Sequence, residues 1–513
     1  MGIASKTINN IISIWATKLF SVASGLILVP VLLSSLGLYD YGLWLTLGQG
    51  VSILALLDFG ISNSVTRFIS KADAEQDKSE KSGVYTAAML IFSAAGLFSL
   101  LLVLLSVNYV PELLNVSTES HKVTKILFLS LGLKLSISFP LRVGRGLLQS
   151  KYRYDYIELV GLLSKVANIS LTLLLYLLGL IDLYILCAIN IMNNFAVEWL
   201  IFIKGRKLYP EIGFRLSLVN KARFRALFSL GASSLIQTLA GMLNRKGYIF
   251  AISLLFGMEG VPIFTIANNL LTRLGGLIGR IGATFVPLAS RAQAKNESET
   301  ISHLTIFGTR YCLTLGFIFS GYLMIYGKDL VRLWIGHGQI SNYEIGIVFQ
   351  AMMIMLLPVF ISRANMGNRS ILISTGSHWL VSNSVAVGSA VALIIGVLLM
   401  RYTSMGILGG AVGWSLSPLI IEGILFPVFV ARQVNISIYR YFLSIFLNPI
   451  YISLVVVGLN MGLWKIFVSD SLLVLAVHSF VYSVISLVLM FFFGVESSHR
   501  AKFEYFILQK CKK

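Results

Sequence analysis

Long apolar runs separated by short polar breaks fill the chain. A membrane-spanning α-helix needs about 20 apolar residues to cross a hydrocarbon core about 30 Å thick. The runs predict about 14 transmembrane helices, at residues 11–33, 42–66, 84–107, 123–147, 157–178, 183–203, 227–256, 263–290, 304–326, 343–366, 378–400, 408–431, 446–467 and 473–493. The breaks are too short to hold a folded soluble domain, so the predicted fold is all-α and integral to the membrane.

The composition supports a protein covered mostly by lipid. Of its 513 residues, 56% are hydrophobic and only 12% are charged, whereas a soluble domain carries about 25% charged residues. Three cysteines do not imply a disulfide framework.

The basic residues predict the orientation. The chain carries 41 Lys and Arg against 22 Asp and Glu, a net charge of +19. With the N-terminus inside, most of them fall in cytoplasmic loops, as the positive-inside rule requires. We therefore expect a multi-pass protein with both termini in the cytoplasm. We expect its positive charge to interact with membrane lipid and not with nucleic acid. The predicted cytoplasmic loops hold Arg67, Lys71, Lys78, Lys81, Arg142, Arg145, Lys151, Arg153, Lys204, Arg206, Lys207, Arg215, Lys221, Arg223 and Arg225, and the tail adds Arg500, Lys502, Lys510, Lys512 and Lys513.

An internal repeat divides the chain. Gly37 and Gly257 lie 220 residues apart in similar Gly-containing turns, and Gly60 and Gly282 lie 222 apart. The repeat predicts two six-helix lobes related by a pseudo-two-fold axis along the membrane normal, with a substrate site between them. The predicted lobes are residues 1–215 and 216–435, and residues 436–513 hold two peripheral C-terminal helices and a basic cytoplasmic tail.

Charged residues within the spans are the candidate site. In the eighth span, Asn269, Arg273, Gly276, Arg280 and Thr284 recur every three or four residues and share one helical face. Charges at that depth are costly and usually line a cavity. Because Arg binds phosphate oxygens bidentately, and more strongly in a medium of low dielectric constant, Arg273 and Arg280 are candidates to bind a phosphate or diphosphate.

Other spans add polar groups at equivalent places in the two repeats. The full prediction is a cationic cleft with Arg273, Arg280, Arg245, Lys246 and Lys18 as substrate ligands, and with Asp58, Gln49, Asn244 and Asn269 as polar or ion-coupling positions.

Structural explanations compete with this hypothesis. Lys18 lies near the inner interface and could snorkel, and Arg245 with Lys246 could be neutralised by Asp58. The sequence also favours topology over ligand binding for Arg67, Arg142 and Arg145, which precede or follow span ends.

Several catalytic signatures are missing from the sequence. There is no G-x-x-x-x-G-K-[ST] loop, no G-x-S-x-G element and no spacing of His and Cys typical of a metal site. We therefore expect a transporter rather than an enzyme, without a cofactor, driven by H+, Na+, the membrane potential or the substrate gradient.

Two stretches carry a resemblance to a known family. They are Leu32-Leu33-Ser34-Ser35-Leu36-Gly37-Leu38-Tyr39-Asp40-Tyr41-Gly42-Leu43-Trp44, and Leu56-Leu57-Asp58-Phe59-Gly60 followed by Arg67-Phe68-Ile69-Ser70. They resemble the Wzx-type O-antigen and polysaccharide flippases of the multidrug/oligosaccharidyl-lipid/polysaccharide (MOP) superfamily, and Phe264-Thr265-Ile266-Ala267-Asn268 in the eighth span is similar too.

The resemblance implies a two-lobed fold with alternating access in the inner membrane of a bacterium. The implied substrate is an undecaprenyl-diphosphate-linked oligosaccharide, flipped from the cytoplasmic to the periplasmic leaflet for O-antigen, lipopolysaccharide or other surface polysaccharide synthesis. A polysaccharide polymerase and chain-length machinery are the further partners that it suggests.

Three other functions stay open on the sequence. A cation-coupled multidrug exporter of the same superfamily is disfavoured because the deep charges are mostly basic. A lipid II flippase has the same plan and cannot be separated on physical grounds. A polytopic O-antigen polymerase or glycosyltransferase would be expected to carry a large periplasmic loop or acidic D-x-D-like elements, and neither is present.

Overall fold

The computed structural model describes residues 3–219, 221–283, 291–292, 295, 297–336, 340–374, 376–466, 471–497 and 500. Helices make up nearly all of these segments, and none of the described residues lies in a β-strand. The predicted all-α class is confirmed.

Seventeen α-helices follow one another in the described part of the chain. They are α1 (Ile3–Ile53), α2 (Ile61–Ala74), α3 (Lys78–Ser106), α4 (Val110–Leu113), α5 (His121–Leu141), α6 (Val143–Ser150), α7 (Tyr154–Leu177), α8 (Leu183–Leu208), α9 (Lys221–Ala283), α10 (Ser298–Ile335), α11 (Asn342–Ala364), α12 (Met366–Ser374), α13 (His378–Tyr402), α14 (Ile407–Ser417), α15 (Phe426–Gln433), α16 (Ile438–Ile466) and α17 (Leu472–Leu489). A π-helical segment, Pro418–Leu425, joins α14 to α15.

These helices match the predicted spans. Eleven segments among the described residues are long and apolar enough to cross a membrane. Two of them, Phe20–Ala74 and Lys246–Ile281, each overlap two predicted spans, and the predicted span 304–326 lies within α10. Many large apolar side chains along them are exposed, such as Leu97, Leu104 and Leu177, which is the surface that a hydrocarbon core covers.

The predicted repeat is visible in the backbone. α1 is interrupted at Gly37, with φ 74° and ψ 176°, and α9 is interrupted at Gly257, with φ 73° and ψ −177°. This conformation is essentially restricted to glycine, because a Cβ would clash with the backbone. The turns that the sequence predicted between spans are therefore single-residue breaks within long helices.

The first turn also lies against the second. A Cβ built on Gly42 would lie 1.9 Å from the carbonyl oxygen of Met258. Only glycine allows this approach of one helix to the backbone of another. The sequence motif around Gly37 thus contains one residue that breaks the helix and one that lets it pack.

The chain divides into two compact units, residues 1–262 and 263–513. In the first unit, one core cluster is centred on Phe92, Phe139 and Leu147, and another on Leu47 and Leu131. The predicted lobe limits at 215/216 and 435/436 stay a prediction.

In the second unit, the last two helices pack on α10. Tyr482 of α17 donates a hydrogen bond to the Ile318 carbonyl at 2.7 Å, and Ser453 of α16 donates to the Phe317 carbonyl at 3.0 Å. A cluster containing Tyr326 fills the space between them. These contacts attach the two helices that fall outside the sequence repeat.

Candidate functional site

The polar stripe of α9 lies beside the face that packs in the second unit. Gly275 and Gly279 contact the stem of Arg363 in α11, and a Cβ at Gly275 would lie 2.9 Å from Arg363 Cγ. At about 100° per residue, Asn269, Arg273, Gly276 and Arg280 lie about 80–140° around the helix from that face. Asn269, Arg273 and Arg280 are all half-buried.

Space is open within this stripe. A Cβ built on Gly276 would meet no heavy atom within 4 Å. Among the described residues, no carboxylate lies within 4 Å of the Arg280 guanidinium. A half-buried guanidinium beside an opening suits an anionic ligand, because the ligand can supply the missing negative charge. Thr284, the last member of the predicted stripe, lies outside the described residues.

The first unit holds the other predicted ligands. The side chains of Lys18 and Arg245 lie outside the described part of the structure. Lys246 is 9% exposed and its Nζ donates a hydrogen bond to Ser52 Oγ. Asn244 is half-buried, and its side-chain oxygen has no hydrogen-bond partner among the described residues.

Asp58 has a structural partner that the sequence did not predict. Its carboxylate accepts hydrogen bonds from the Ser62 backbone N–H at 3.2 Å and from Ser62 Oγ at 2.9 Å, at the start of α2. Arg142 Nη1 lies 3.3 Å from Asp58 Oδ2. Arg142 therefore supplies a positive charge at this carboxylate, at the break between α5 and α6. The neutralisation of Arg245 and Lys246 by Asp58 stays a hypothesis.

A polar cavity of about 400 Å³ opens within the first unit. Gln49 lines it together with Trp44 and Ser52 of α1, so the predicted polar position at Gln49 and the contact of Lys246 belong to one region. A Cβ on Gly48, another lining residue, would meet no heavy atom within 4 Å. The cavity is therefore open along this face of α1.

The opposite wall of the cavity is a ladder between α5–α6 and α8. Lys134 Nζ donates a hydrogen bond to Asn190 Oδ1, and Ser138 Oγ donates to Asn194 Oδ1 at 2.7 Å. The next rung is the ion pair of Arg145 with Glu198, 2.7 Å between Nη2 and Oε1. Asn190, Asn194 and Glu198 are four residues apart on α8, and their partners are four and seven residues apart on α5–α6, because both spacings return to the same helical face.

The sequence interpretation missed most of this ladder. Lys134 interrupts an otherwise apolar run, and Asn190, Asn194 and Glu198 recur every four residues in the sixth predicted span. That periodicity could have identified a polar face. Arg142, interpreted from the sequence as a topology charge, lines the cavity and is paired with Asp58.

The second unit contains a counterpart of the ion pair between Arg145 and Glu198. Arg369 Nη1 lies 3.7 Å from Glu422 Oε1, and Ser362 donates a hydrogen bond to the same carboxylate. Glu422 lies in the π-helical segment Pro418–Leu425. Both residues lie 224 positions after Arg145 and Glu198, so this ion pair belongs to the internal repeat.

A charged cluster connects the loops that the sequence predicts to be cytoplasmic. Lys81 is 5% exposed, and its Nζ lies 2.7 Å from Glu211 and 3.2 Å from Asp73. Lys151 lies 2.6 Å from Asp73. The hydrogen bond from Lys81 holds the pKa of the Glu211 carboxyl below its usual range, and burial raises the pKa of the nearby Tyr209 hydroxyl. These loops therefore lie at one end of the first unit.

A metal is not suggested by the geometry: within the described ranges, no three His, Cys, Asp or Glu side chains are grouped as metal ligands. The prediction that the protein uses no cofactor, and the choice of H+ or Na+ as coupling ion, stay predictions.

Solved structures share this fold. An inward-facing multidrug resistance MATE family transporter of the MOP superfamily is 15% identical, with a TM-score of 0.68, covering 82% of this chain and 94% of its own. The lipid II flippase MurJ, in an inward closed conformation, is 14% identical with a TM-score of 0.70, covering 94% and 98%. A MOP superfamily transporter from Pyrococcus furiosus is 14% identical with a TM-score of 0.59, covering 83% and 95%.

The chain is thus a multi-pass membrane protein with the fold of MOP superfamily transporters. A family described as "Polysaccharide biosynthesis protein" matches residues 7–293, more than half of the 513 residues, and the chain belongs to this family. No curated protein matches the sequence.

Proposed function

We propose that the protein is a flippase that moves undecaprenyl-diphosphate-linked oligosaccharide repeat units from the cytoplasmic to the periplasmic leaflet by alternating access. The observation that carries this proposal is the stripe of Arg273 and Arg280, half-buried in a membrane helix beside the open space at Gly276. In a protein of the polysaccharide biosynthesis family, such a stripe would bind the diphosphate of a lipid-linked sugar as it crosses the membrane.

The charges fit a diphosphate physically. Arg273 and Arg280 are seven positions apart, about 10 Å along the helix axis at 1.5 Å per residue. Each guanidinium can form two parallel hydrogen bonds with phosphate oxygens. In a medium of low dielectric constant these bonds are stronger than in water, and they replace hydration that the diphosphate loses.

The proposed setting is the inner membrane of a bacterium, with both termini cytoplasmic. The product would be O-antigen, lipopolysaccharide or another surface polysaccharide, and a polymerase with its chain-length machinery would take the flipped repeat units. The asymmetry of basic loops and the joining of Lys81, Asp73 and Lys151 at one end of the first unit support this orientation.

A genetic complementation tests the proposal. Cells lacking this gene would receive the wild type, the double variant Arg273→Ala/Arg280→Ala, or the control Arg401→Ala at matched membrane levels; Arg401 is exposed at the end of α13. We expect the null and double-variant cells to lose surface polymer and to trap lipid-linked repeats on the cytoplasmic leaflet. Normal polymer in the null cells would contradict the function, and full complementation by the double variant would contradict the site.

The lipid II flippase is a second candidate, because the MurJ structure covers 94% of this chain and the MATE structure 82%. Lipid II also carries a diphosphate on a polyprenyl chain. Expression of this protein during depletion of the native lipid II flippase separates the two functions. Survival would favour lipid II as substrate, and lysis with intact surface polymer would favour the oligosaccharide.

A further inference from the structure

The cavity of the first unit contains a positive charge without a carboxylate partner. Arg142 and Arg145, at one end of the ladder, are bound by Asp58 and Glu198. Lys134, deeper in α5, donates a hydrogen bond only to a neutral group, Asn190 Oδ1, among the described residues. No carboxylate in the described part of the chain lies within 4 Å of its Nζ. A half-buried ammonium in this position is costly until an anion binds it.

Neutral groups around Lys134 can bind hydroxyls. The amides of Gln49, Asn190 and Asn194 line the same cavity, and each amide offers both donors and acceptors. Vicinal hydroxyls of a sugar offer both as well, so the two sets are complementary. The phosphate of a lipid headgroup, by contrast, offers these amides acceptors alone.

Trp44 adds an apolar surface to the cavity. The negative face of an aromatic ring attracts weakly positive hydrogens, and one face of a pyranose ring consists of such C–H groups. The cavity volume of about 400 Å³ falls within the range of small-molecule sites, about 300–1,000 Å³. It therefore has room for one sugar with its substituents.

We propose that this cavity is a subsite for a sugar that bears a carboxylate. Lys134 binds the carboxylate, Asn190 and Asn194 bind the hydroxyls, and Trp44 stacks on the ring. Lys134 can keep its bond to Asn190, because an ammonium has three donors. The inference rests on the proposed function, since it assigns a sugar of the repeat unit to the first unit, while the diphosphate is assigned to Arg273 and Arg280.

Ligand-observed NMR on the protein in phosphatidylcholine nanodiscs tests the subsite. The probes are methyl glycosides of glucuronic, galacturonic and mannuronic acid, each paired with its neutral hexose. We expect at least one uronate to bind about 10-fold or more tightly than its neutral partner, because a charge-assisted hydrogen bond contributes about 1.5–3 kcal/mol. Lys134→Gln should remove this difference, and Lys134→Arg should keep it.

The matched control is Lys122→Gln, which changes an exposed lysine of the same helix and should leave the preference unchanged. Three results would overturn the subsite: no uronate preferred over its hexose, a preference that survives Lys134→Gln, or loss of uronate binding in phosphatidylglycerol nanodiscs. The last would assign Lys134 to lipid headgroups.

The probes contain neither lipid nor diphosphate, so the two proposals fail separately. A protein that binds uronates and flips no lipid-linked saccharide would contradict the flippase and leave the subsite standing. A protein that flips such lipids without any uronate preference would contradict the subsite alone.

Discussion

Arg145 Nη2 and Glu198 Oε1 form an ion pair 2.7 Å long between α6 and α8. The counterpart in the second unit is Arg369 with Glu422, 224 residues further along. The helix breaks at Gly37 and Gly257 show the internal repeat in the backbone, and these two ion pairs show it in side-chain contacts. The first pair joins α6 to α8, and the second joins α12 to the π-helical segment Pro418–Leu425.

The first of these pairs should be important for stability. Glu198 is 6% exposed, so Arg145→Gln would leave a buried carboxylate without its partner and cost about 3 kcal/mol. Thermal unfolding in detergent measures this loss, and the double variant Arg145→Gln/Glu198→Gln should recover most of it. A single variant as stable as wild type would show that the pair does not hold α6 to α8.

The equivalent change in the second unit should cost less. Arg369 and Glu422 are 3.7 Å apart and their side chains are 27% and 18% exposed, so Arg369→Gln should cost about 1 kcal/mol. Measured in the same way, a loss larger than that of Arg145→Gln would contradict this ranking of the two pairs.

The break in α9 depends on backbone conformation alone. A Cβ on Gly257 would touch no atom within 4 Å, but its φ is +73°. We therefore expect Gly257→Ala to destabilise the protein by about 1–3 kcal/mol through strain. Gly346→Ala is the control, because Gly346 is helical and equally uncrowded. Equal melting temperatures of the two variants would show that the break tolerates a side chain.

Filling the cavity of the first unit should block transport without unfolding the protein. Gly48 lines the cavity and has no heavy atom within 4 Å of a built Cβ, so a leucine there would occupy cavity space. Gly161 has the same free space but lies outside the cavity lining. We expect Gly48→Leu to lose surface polymer in complemented cells and Gly161→Leu to retain it, at equal membrane levels. Retention by both would mean that substrate does not enter this cavity.

The loop cluster should lose stability in acid. The folded-state pKa of Glu211 lies below its ordinary value of 4.5 because Lys81 donates a hydrogen bond to it. Its contribution is therefore complete above pH 4.5 and is lost as the pH falls through the lower, folded-state value. Limited proteolysis after residue 208 between pH 6 and 3 should reveal a faster loss of protection in wild type than in Glu211→Gln. Parallel pH profiles for both proteins would contradict the assignment.

The sequence pattern was enough to predict the helices, because about 20 apolar residues in a row have few alternatives in a membrane, and the repeat, because Gly37 and Gly257 recur in similar turns. It could not predict that Gly37 and Gly257 break continuous helices, since the difference between a loop and a one-residue break is a matter of two dihedral angles. Arg273 and Arg280 were found because their spacing of seven repeats a helical face.

Pairing between distant helices was harder to predict. The sequence offered Arg245 and Lys246 as partners of Asp58 and did not predict Arg142, which lies 84 residues away and reaches the carboxylate through the break after α5. Lys134 was missed because a single charge in an apolar run gives no partner in sequence, and the partner, Asn190, lies 56 residues away.

The most direct test of the central claim is a flipping assay in proteoliposomes. A fluorescent undecaprenyl-diphosphate-linked oligosaccharide in the inner leaflet would be followed as it becomes accessible outside, with and without H+ or Na+ gradients. We expect wild type and Arg401→Ala to expose it, and Arg273→Ala/Arg280→Ala to be slower by about 10-fold or more, because charge-assisted bonds to the diphosphate are lost. Exposure no faster than in protein-free vesicles, or a double variant as fast as wild type, would contradict the account.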